Sequence, residues 1–171
     1  MLTHLEKSQF IISGEKGLPE DYPTPKNINN LLFYIQRNLN KNTIVYSMNK
    51  TLDGQLHKTY PMKVFWIKYT YGGIEQELNY IQNKAFGYTS KWINDETFEF
   101  VMDSYNKLRF FVAKNPNNQH KIITKINNED CYLSNIYVYA NELGLFPDVR
   151  YIELYGNNLK NGFPSYQRIL I

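Results

Sequence analysis

Apolar and polar positions alternate along most of this chain with a period of two. The longest such block spans residues 31–49, LLFYIQRNLNKNTIVYSMN. There Leu31, Phe33 and Ile35 alternate with Leu32, Tyr34 and Gln36. After a polar cluster at residues 38–42, the pattern resumes as Ile44, Tyr46 and Met48 against Val45, Ser47 and Asn49. Alternating β-branched and aromatic residues broken by an Asn-rich cluster predict a β-hairpin, because Asn tolerates the left-handed backbone of a tight reversal. A third strand is predicted at residues 63–71, KVFWIKYTY, after the reversal signal Asp53-Gly54. Further strands are predicted at residues 97–103, 107–113, 121–126, 132–139 and 149–155, with a last run ending at Ile171. Asn115 to Asn118, Asn127 to Asp130 and Gly156 to Asn158 supply turn chemistry between them.

One segment has the helical period. In residues 75–85, Leu78, Ile81 and Ala85 form a narrow apolar stripe, while Glu75, Gln76, Asn79 and Asn83 take the other side. The expected fold is therefore mainly β, an antiparallel barrel-like or sandwich arrangement of about 8–9 strands with one packed helix at about residues 75–85. Residues 14–30 carry Gly14, Gly17, Pro19, Pro23 and Pro25 and few apolar residues. This divides the chain into an extended N-terminal segment, 1–29, and a single β domain, 30–171. A short apolar run, Phe10-Ile11-Ile12, interrupts the segment.

Composition agrees with a β core. Aromatic residues make up 16% of the 171 residues, with 15 Tyr and 10 Phe, and such rings fit a pleated, half-buried surface. The formal charge of +3 comes from dispersed Lys and Arg with acids among them. Such dispersion lacks the basic stripe of a nucleic-acid binder, so no nucleic-acid partner is expected. Cys131 is the single cysteine, which excludes an internal disulfide. No stretch approaches the length of a transmembrane helix, and the opening MLTHLEKSQF is not a basic, apolar, small-residue leader. A soluble protein is expected, periplasmic if a leader was removed.

Chemistry-bearing motifs are sparse. His4, His57 and His120 share no metal-ligand spacing with Asp, Glu or Cys, and phosphate loops and nucleophile elbows are absent from the sequence. No metal site and no cofactor are expected. What stands out is charge on strands. Arg37 shares parity with Leu31, Phe33 and Ile35, and Arg150 shares parity with Ile152 and Leu154. Guanidinium groups at strand ends, where a β core opens to solvent, suit an anionic group of a ligand. Alternatively each snorkels to water or pairs with Glu99, Asp103 or Glu153 on a neighbouring strand.

The motifs LFYIQR, NTIVY, VFWIKY and ELNYIQNKAFGY, in that order and spacing, resemble an uncharacterised bacterial family, domain-of-unknown-function family 4833. The resemblance runs from about residue 30 to about residue 162. It departs from the family at Ser47, where Asp is more usual, and at Ala85-Phe86-Gly87, where the family has AYG. It implies a bacterial source and a stand-alone domain, often following a secretory leader, and it implies no activity. The family's recurrent residues fall here on Gln36, Arg37, Asn42, Tyr46, Trp66, Glu77, Leu78, Gln82 and Gly87. From these and the strand charges, the expected ligand-binding residues are Gln36, Arg37, Tyr46, Trp66, Glu77, Gln82 and Arg150, with the helix packed beside the end of the first strand.

Three functions are compatible with this pattern. One is a non-enzymatic binding module for a small anionic ligand or a cell-envelope component. Another is a structural or protein-interaction domain using a Tyr-rich sheet face. The third is a hydrolase-like enzyme using Glu77 or Asp103 with Arg37.

Overall fold

A computed structural model describes residues 16–141 and 148–171. The expected run Phe10-Ile11-Ile12, and residues 1–15 of the N-terminal segment generally, lie outside the described residues. The hairpin that dominates the sequence forms the middle of the sheet. Strand β1 (Leu31–Arg37) pairs antiparallel with β2 (Asn40–Met48), with Ile35 opposite Ile44 and Tyr34 opposite Val45. The reversal is tighter than the polar cluster suggested: only Asn38 and Leu39 lie outside the strands. Asn38 explains the economy, since its side-chain amide donates to the Ala140 carbonyl and accepts from the Ala140 N–H, both at 2.9 Å, much as a further strand residue would.

The remaining strands are β3 (Met62–Lys68), β4 (Ile74–Glu77), β5 (Tyr88–Trp92), β6 (Phe98–Met102), β7 (Tyr105–Lys114), β8 (His120–Ile126), β9 (Glu129–Asn141), β10 (Asp148–Asn158) and β11 (Pro164–Leu170). The eleven described strands form one curled, half-barrel sheet in the order β4-β3-β2-β1-β9-β8-β7-β6-β5, with β10 added on β9 and β11 on β10. This is the mainly β architecture expected, with two corrections. Strand count exceeds the expected 8–9, because β4 and β5 were not recognised. The sheet is also mixed: β1 runs parallel to β9, with Ile35 opposite Ile136 and Arg37 opposite Val138. Parallel partners far apart in sequence leave no turn signal between them.

β9 organises this layout. β10 covers one of its edges from Cys131 to Asn141, while β8 and β1 share the other edge end to end. The sheet therefore splits around β9 and curls, and its concave side holds the core. Phe33, Tyr46, Phe98, Phe100 and Phe110 are fully buried there, with Phe33 stacked on Tyr46 at 4.3 Å. The β8–β9 turn shows the Asn chemistry directly. Asn127 and Asn128 both have positive φ, 53° and 64°, as a two-residue hairpin loop of matching twist requires.

The helix also needs correction. Residues 74–77 form β4, antiparallel to β3 with Glu77 opposite Phe65, and only Tyr80–Phe86 is helical (α1). Asn79 caps it by accepting from the Gln82 N–H, and the Gln82 side chain accepts from the Asn79 N–H in return, each at 2.9 Å. Ile81 faces solvent, and Leu78 and Phe86 make the contacts with the core that the stripe Leu78-Ile81-Ala85 had suggested. The chain ahead of Glu77 was free to extend because β3 presented an unpaired edge beside it.

The curled sheet is closed by side chains rather than by a ladder. The Tyr88 hydroxyl accepts from the Met62 N–H at 2.9 Å and donates to the Met62 carbonyl at 2.8 Å, joining β5 to the start of β3. Nearby, the Trp92 indole donates to the Lys58 carbonyl at 2.8 Å.

Candidate functional site

Phe86, the last residue of α1, is where the sequence-selected side chains meet. The Tyr46 hydroxyl, fully buried, donates to the Phe86 carbonyl at 2.6 Å, and burial pushes its pKa well above the usual phenol value. Trp66, also buried, meets the Phe86 ring edge-on at 5.7 Å between centroids. The Arg37 guanidinium lies 4.8 Å from the Trp66 ring centre and 6.0 Å from that of Phe86. Two aromatic faces thus hold the guanidinium in orientation, which suits its flat, weakly hydrated charge. A second cation, the Lys68 ammonium, lies 4.4 Å from the same Trp66 ring. Arg37, Tyr46 and Trp66 therefore form one cluster at the end of β1, with the helix end beside it as expected.

The other four candidates lie elsewhere. Gln36 points to the opposite face of β1, where its amide donates to the Pro23 carbonyl at 2.6 Å and to the Thr43 hydroxyl at 3.2 Å. It is buried because residues 22–24 cross over it. Glu77 is exposed on β4, along a surface groove with Lys63, Phe65 and Asn83. Gln82 closes the helix cap. Arg150 is exposed and paired with Asp148 at 3.1 Å. A register shift between Val149 and Tyr151 accounts for Arg150, because the bulge replaces it with Val149 on the concave side. Asp103, the other acid considered for hydrolysis, accepts from the Thr89 hydroxyl at 2.6 Å. Neither Glu77 nor Asp103 is among the residues that line the space beside Arg37.

That space is a cavity of about 350 Å³. Its walls are Ile35 of β1, Met102 of β6, Leu108 and Phe110 of β7, Ile136, Val138 and Ala140 of β9, and Val149 and Ile152 of β10. Ala85 and Phe86 at the end of α1 form one side of its mouth, with Ser104, Tyr105 and Leu39 close by. Arg37 is the one charged side chain among the described lining residues. The Ser104 hydroxyl is already engaged, donating to the Ala85 carbonyl at 2.6 Å, and burial raises the Tyr105 phenol pKa. The space opens to solvent at this mouth, and its size falls within the usual range of ligand pockets.

A second constellation escaped the sequence. On the convex side of β10, Glu153 is wholly buried, and its carboxylate accepts the Gly17 N–H at 2.9 and 3.0 Å. It also accepts the hydroxyls of Tyr155 (2.9 Å) and Tyr166, and the Arg168 guanidinium at 3.0 and 3.2 Å. Burial first, and then the Glu153 charge, push the Tyr155 and Tyr166 phenols far up. Residues 16–18 lie directly on this cluster, with the Lys16 ammonium 5.6 and 5.5 Å from the Tyr155 and Tyr166 ring centres. The one clue was a Glu with Tyr on either side at the same parity, in a strand whose other face carries Ile152 and Leu154. Among the described residues, no three His, Cys, Asp or Glu side chains converge as a metal site would require.

Fold and cavity together define a curled, mainly β domain built around an apolar pocket with a cationic rim. The chain belongs to the family described as Domain of unknown function (DUF4833), whose model matches residues 33–168. No curated protein and no solved structure gives a significant match to it. Among the described residues, no helix is long and apolar enough to cross a membrane.

Proposed function

We propose that this domain is a non-enzymatic binding module that takes a small amphipathic molecule into the cavity beside Arg37. The observation that carries this is the cavity itself: about 350 Å³, walled by aliphatic and aromatic side chains from five strands, with Arg37 the one charged side chain among its described lining residues. The apolar body of the ligand lies against β9 and β10, and its anionic group sits by the guanidinium that Trp66 and Phe86 orient. Burial of the body supplies most of the affinity and the charge supplies orientation. A periplasmic setting and an envelope-derived ligand fit this reading, since an amphiphile crossing an aqueous compartment needs a shielded carrier.

The test uses N-phenyl-1-naphthylamine, a neutral probe whose fluorescence rises in apolar surroundings. The full chain is expected to bind it saturably and to melt at higher temperature in its presence. Ala85→Trp, at an exposed position on the mouth, should block uptake without disturbing the core. Equal probe binding by wild type and Ala85→Trp would place the probe elsewhere and overturn the reading.

A further inference from the structure

A second site lies at the far end of the sheet and does not depend on the cavity reading above. Strand β7 joins the two places, with Tyr105 at the cavity mouth and Lys114 in a polar groove of about 480 Å³. Three segments line that groove: residues 50–58 after β2, residues 95–96 in the β5–β6 turn, and residues 114–120 between β7 and β8. All three are described throughout. We propose that the groove binds a phosphomonoester of a hydroxylated small molecule, with the phosphate held by Lys50, Lys114 and His120.

Charge leads there first. Lys50, Lys58, Lys114 and His120 share the lining with Asp95 and Glu96. Lys58 is already engaged: its ammonium donates to the Asp95 carbonyl at 2.7 Å and lies 4.0 Å from the Trp92 ring centre. Lys114 and His120 are cross-strand partners on β7 and β8, and Lys50 forms no ion pair among the described residues. Ammonium groups are point charges that can gather around a tetrahedral oxyanion, whereas a carboxylate is best matched by one planar fork. Cations brought together from positions 50, 114 and 120 therefore suit a phosphate.

The protein already holds an anion of its own there. The Glu96 carboxylate pairs with the Lys114 ammonium at 2.8 Å, and its charge favours the protonated His120 ring. The Glu96 side chain is 61% exposed on a short turn, so a ligand dianion can take its place at Lys114. His120 is incomplete as it stands: its Nε2 is buried and has no hydrogen-bond partner among the described residues. Burial first, and then the Lys114 and Lys50 charges, hold its pKa below the ordinary value of 6.5. An anion among these groups offsets both repulsions and favours the protonated ring. Lys58 and Asp95 are the other charges of the groove.

The rest of the lining selects the body of the ligand. Leu56 is the one apolar side chain among the described lining residues, while Gln55 and Asn118 carry amides. Hydroxyl groups find partners there, and a hydrocarbon does not. The turns are held in place beforehand. The Asn94 side chain accepts the Glu96 and Thr97 N–H groups, and the Asn115 side chain accepts those of Asn117 and Gln119, all at 2.9 Å.

Calorimetric titration of the full chain with glucose 6-phosphate, glucose 6-sulfate, glucose and inorganic sulfate tests this. Glucose 6-phosphate is expected to bind at least about tenfold more tightly than glucose, and more tightly than the singly charged sulfate ester. Lys50→Gln and Lys114→Gln should each weaken it about fivefold or more, and Glu96→Gln, which removes the competing carboxylate, should tighten it. Lys107→Gln, at an exposed position outside the groove, should leave it unchanged. Inorganic sulfate stays a dianion between about pH 5 and about pH 8, so its affinity should fall as pH rises and the ring loses its proton. His120→Gln should abolish that fall. Absence of saturable glucose 6-phosphate binding, equal binding of glucose, or equal losses in Lys107→Gln and Lys50→Gln would overturn the site. Tighter binding of the sulfate ester would overturn the phosphate assignment. An unchanged affinity in Glu96→Gln would overturn the exchange of Glu96 for ligand, and a pH-independent sulfate affinity in wild type would overturn the role of His120. Should Lys114→Gln not fold, Lys50→Gln, at an exposed position, decides alone.

Discussion

Arg37 and Glu153 are both charges on strands, and their different surroundings decide what each does. Arg37 ends β1 on the concave side, where aromatic rings hold it at a cavity rim. Glu153 sits mid-strand on the convex side, wholly buried, with protein donors on both carboxylate oxygens. A carboxylate so supplied acts as a clasp: it fixes residues 16–18 to the sheet through the Gly17 N–H. A Cβ at Gly17 would collide with the Tyr151 hydroxyl and crowd the Tyr137 ring, so a larger residue there requires these side chains to shift. Glu153→Ala leaves the Tyr155 and Tyr166 hydroxyls and the Gly17 N–H without their acceptor. The loss should be about 3–5 kcal/mol, as for truncating one member of a buried charged pair. Denaturant unfolding should register that loss, and limited trypsinolysis should begin at Lys16. A stable variant still protected at Lys16 would refute the clasp.

The helix matters through its two ends. Its N-terminus is held by the reciprocal Asn79–Gln82 cap, and its C-terminus delivers Phe86 to Tyr46, Trp66 and Arg37. At seven residues α1 is too short to be helical alone, so cap and docking must sustain it. Asn79→Ala should cost about 0.5–2 kcal/mol of stability. It should also weaken binding of the naphthylamine probe, since Ala85 and Phe86 border the cavity mouth. A loss of stability with unchanged probe affinity would show that the helix end does not shape the mouth. At this scale the periodicity of residues 78–85 was informative about the existence of the helix and misleading about its start. Ile74 to Glu77 carry no strong strand preference, and the free edge of β3 drew them into the sheet.

Across the whole molecule, the many tyrosines make the fold sensitive to alkali. Burial is the main cause that raises the Tyr46, Tyr137, Tyr155 and Tyr166 phenols, and it lifts Tyr88 to about 12. The unfolded chain ionises its tyrosines near the ordinary value of 10, before the folded one does. Stability from these groups is therefore complete below about pH 10 and declines as pH rises towards their folded values. Tyrosinate absorbance followed with far-UV circular dichroism should show a late group of tyrosines ionising together with loss of the sheet. Completion of the tyrosine titration near pH 10 with the sheet intact would contradict the burial that underlies this.

The sequence by itself determined the local order: the alternation that makes β1, β2 and most later strands, the Asn and Gly reversals between them, and the placing of Arg37 on the core-facing side of β1. Each of these depends on neighbours along the chain, through side-chain alternation and turn geometry. Only the tertiary structure decided that β1 lies parallel to β9, that a bulge turns Arg150 outward and Val149 inward, and that residues 16–18 bury Glu153. The cavity is of the same kind, since its walls come from strands more than a hundred residues apart and exist only once the sheet has curled. Pairing between distant strands is settled by the summed burial of their faces, and no single stretch of sequence carries that sum.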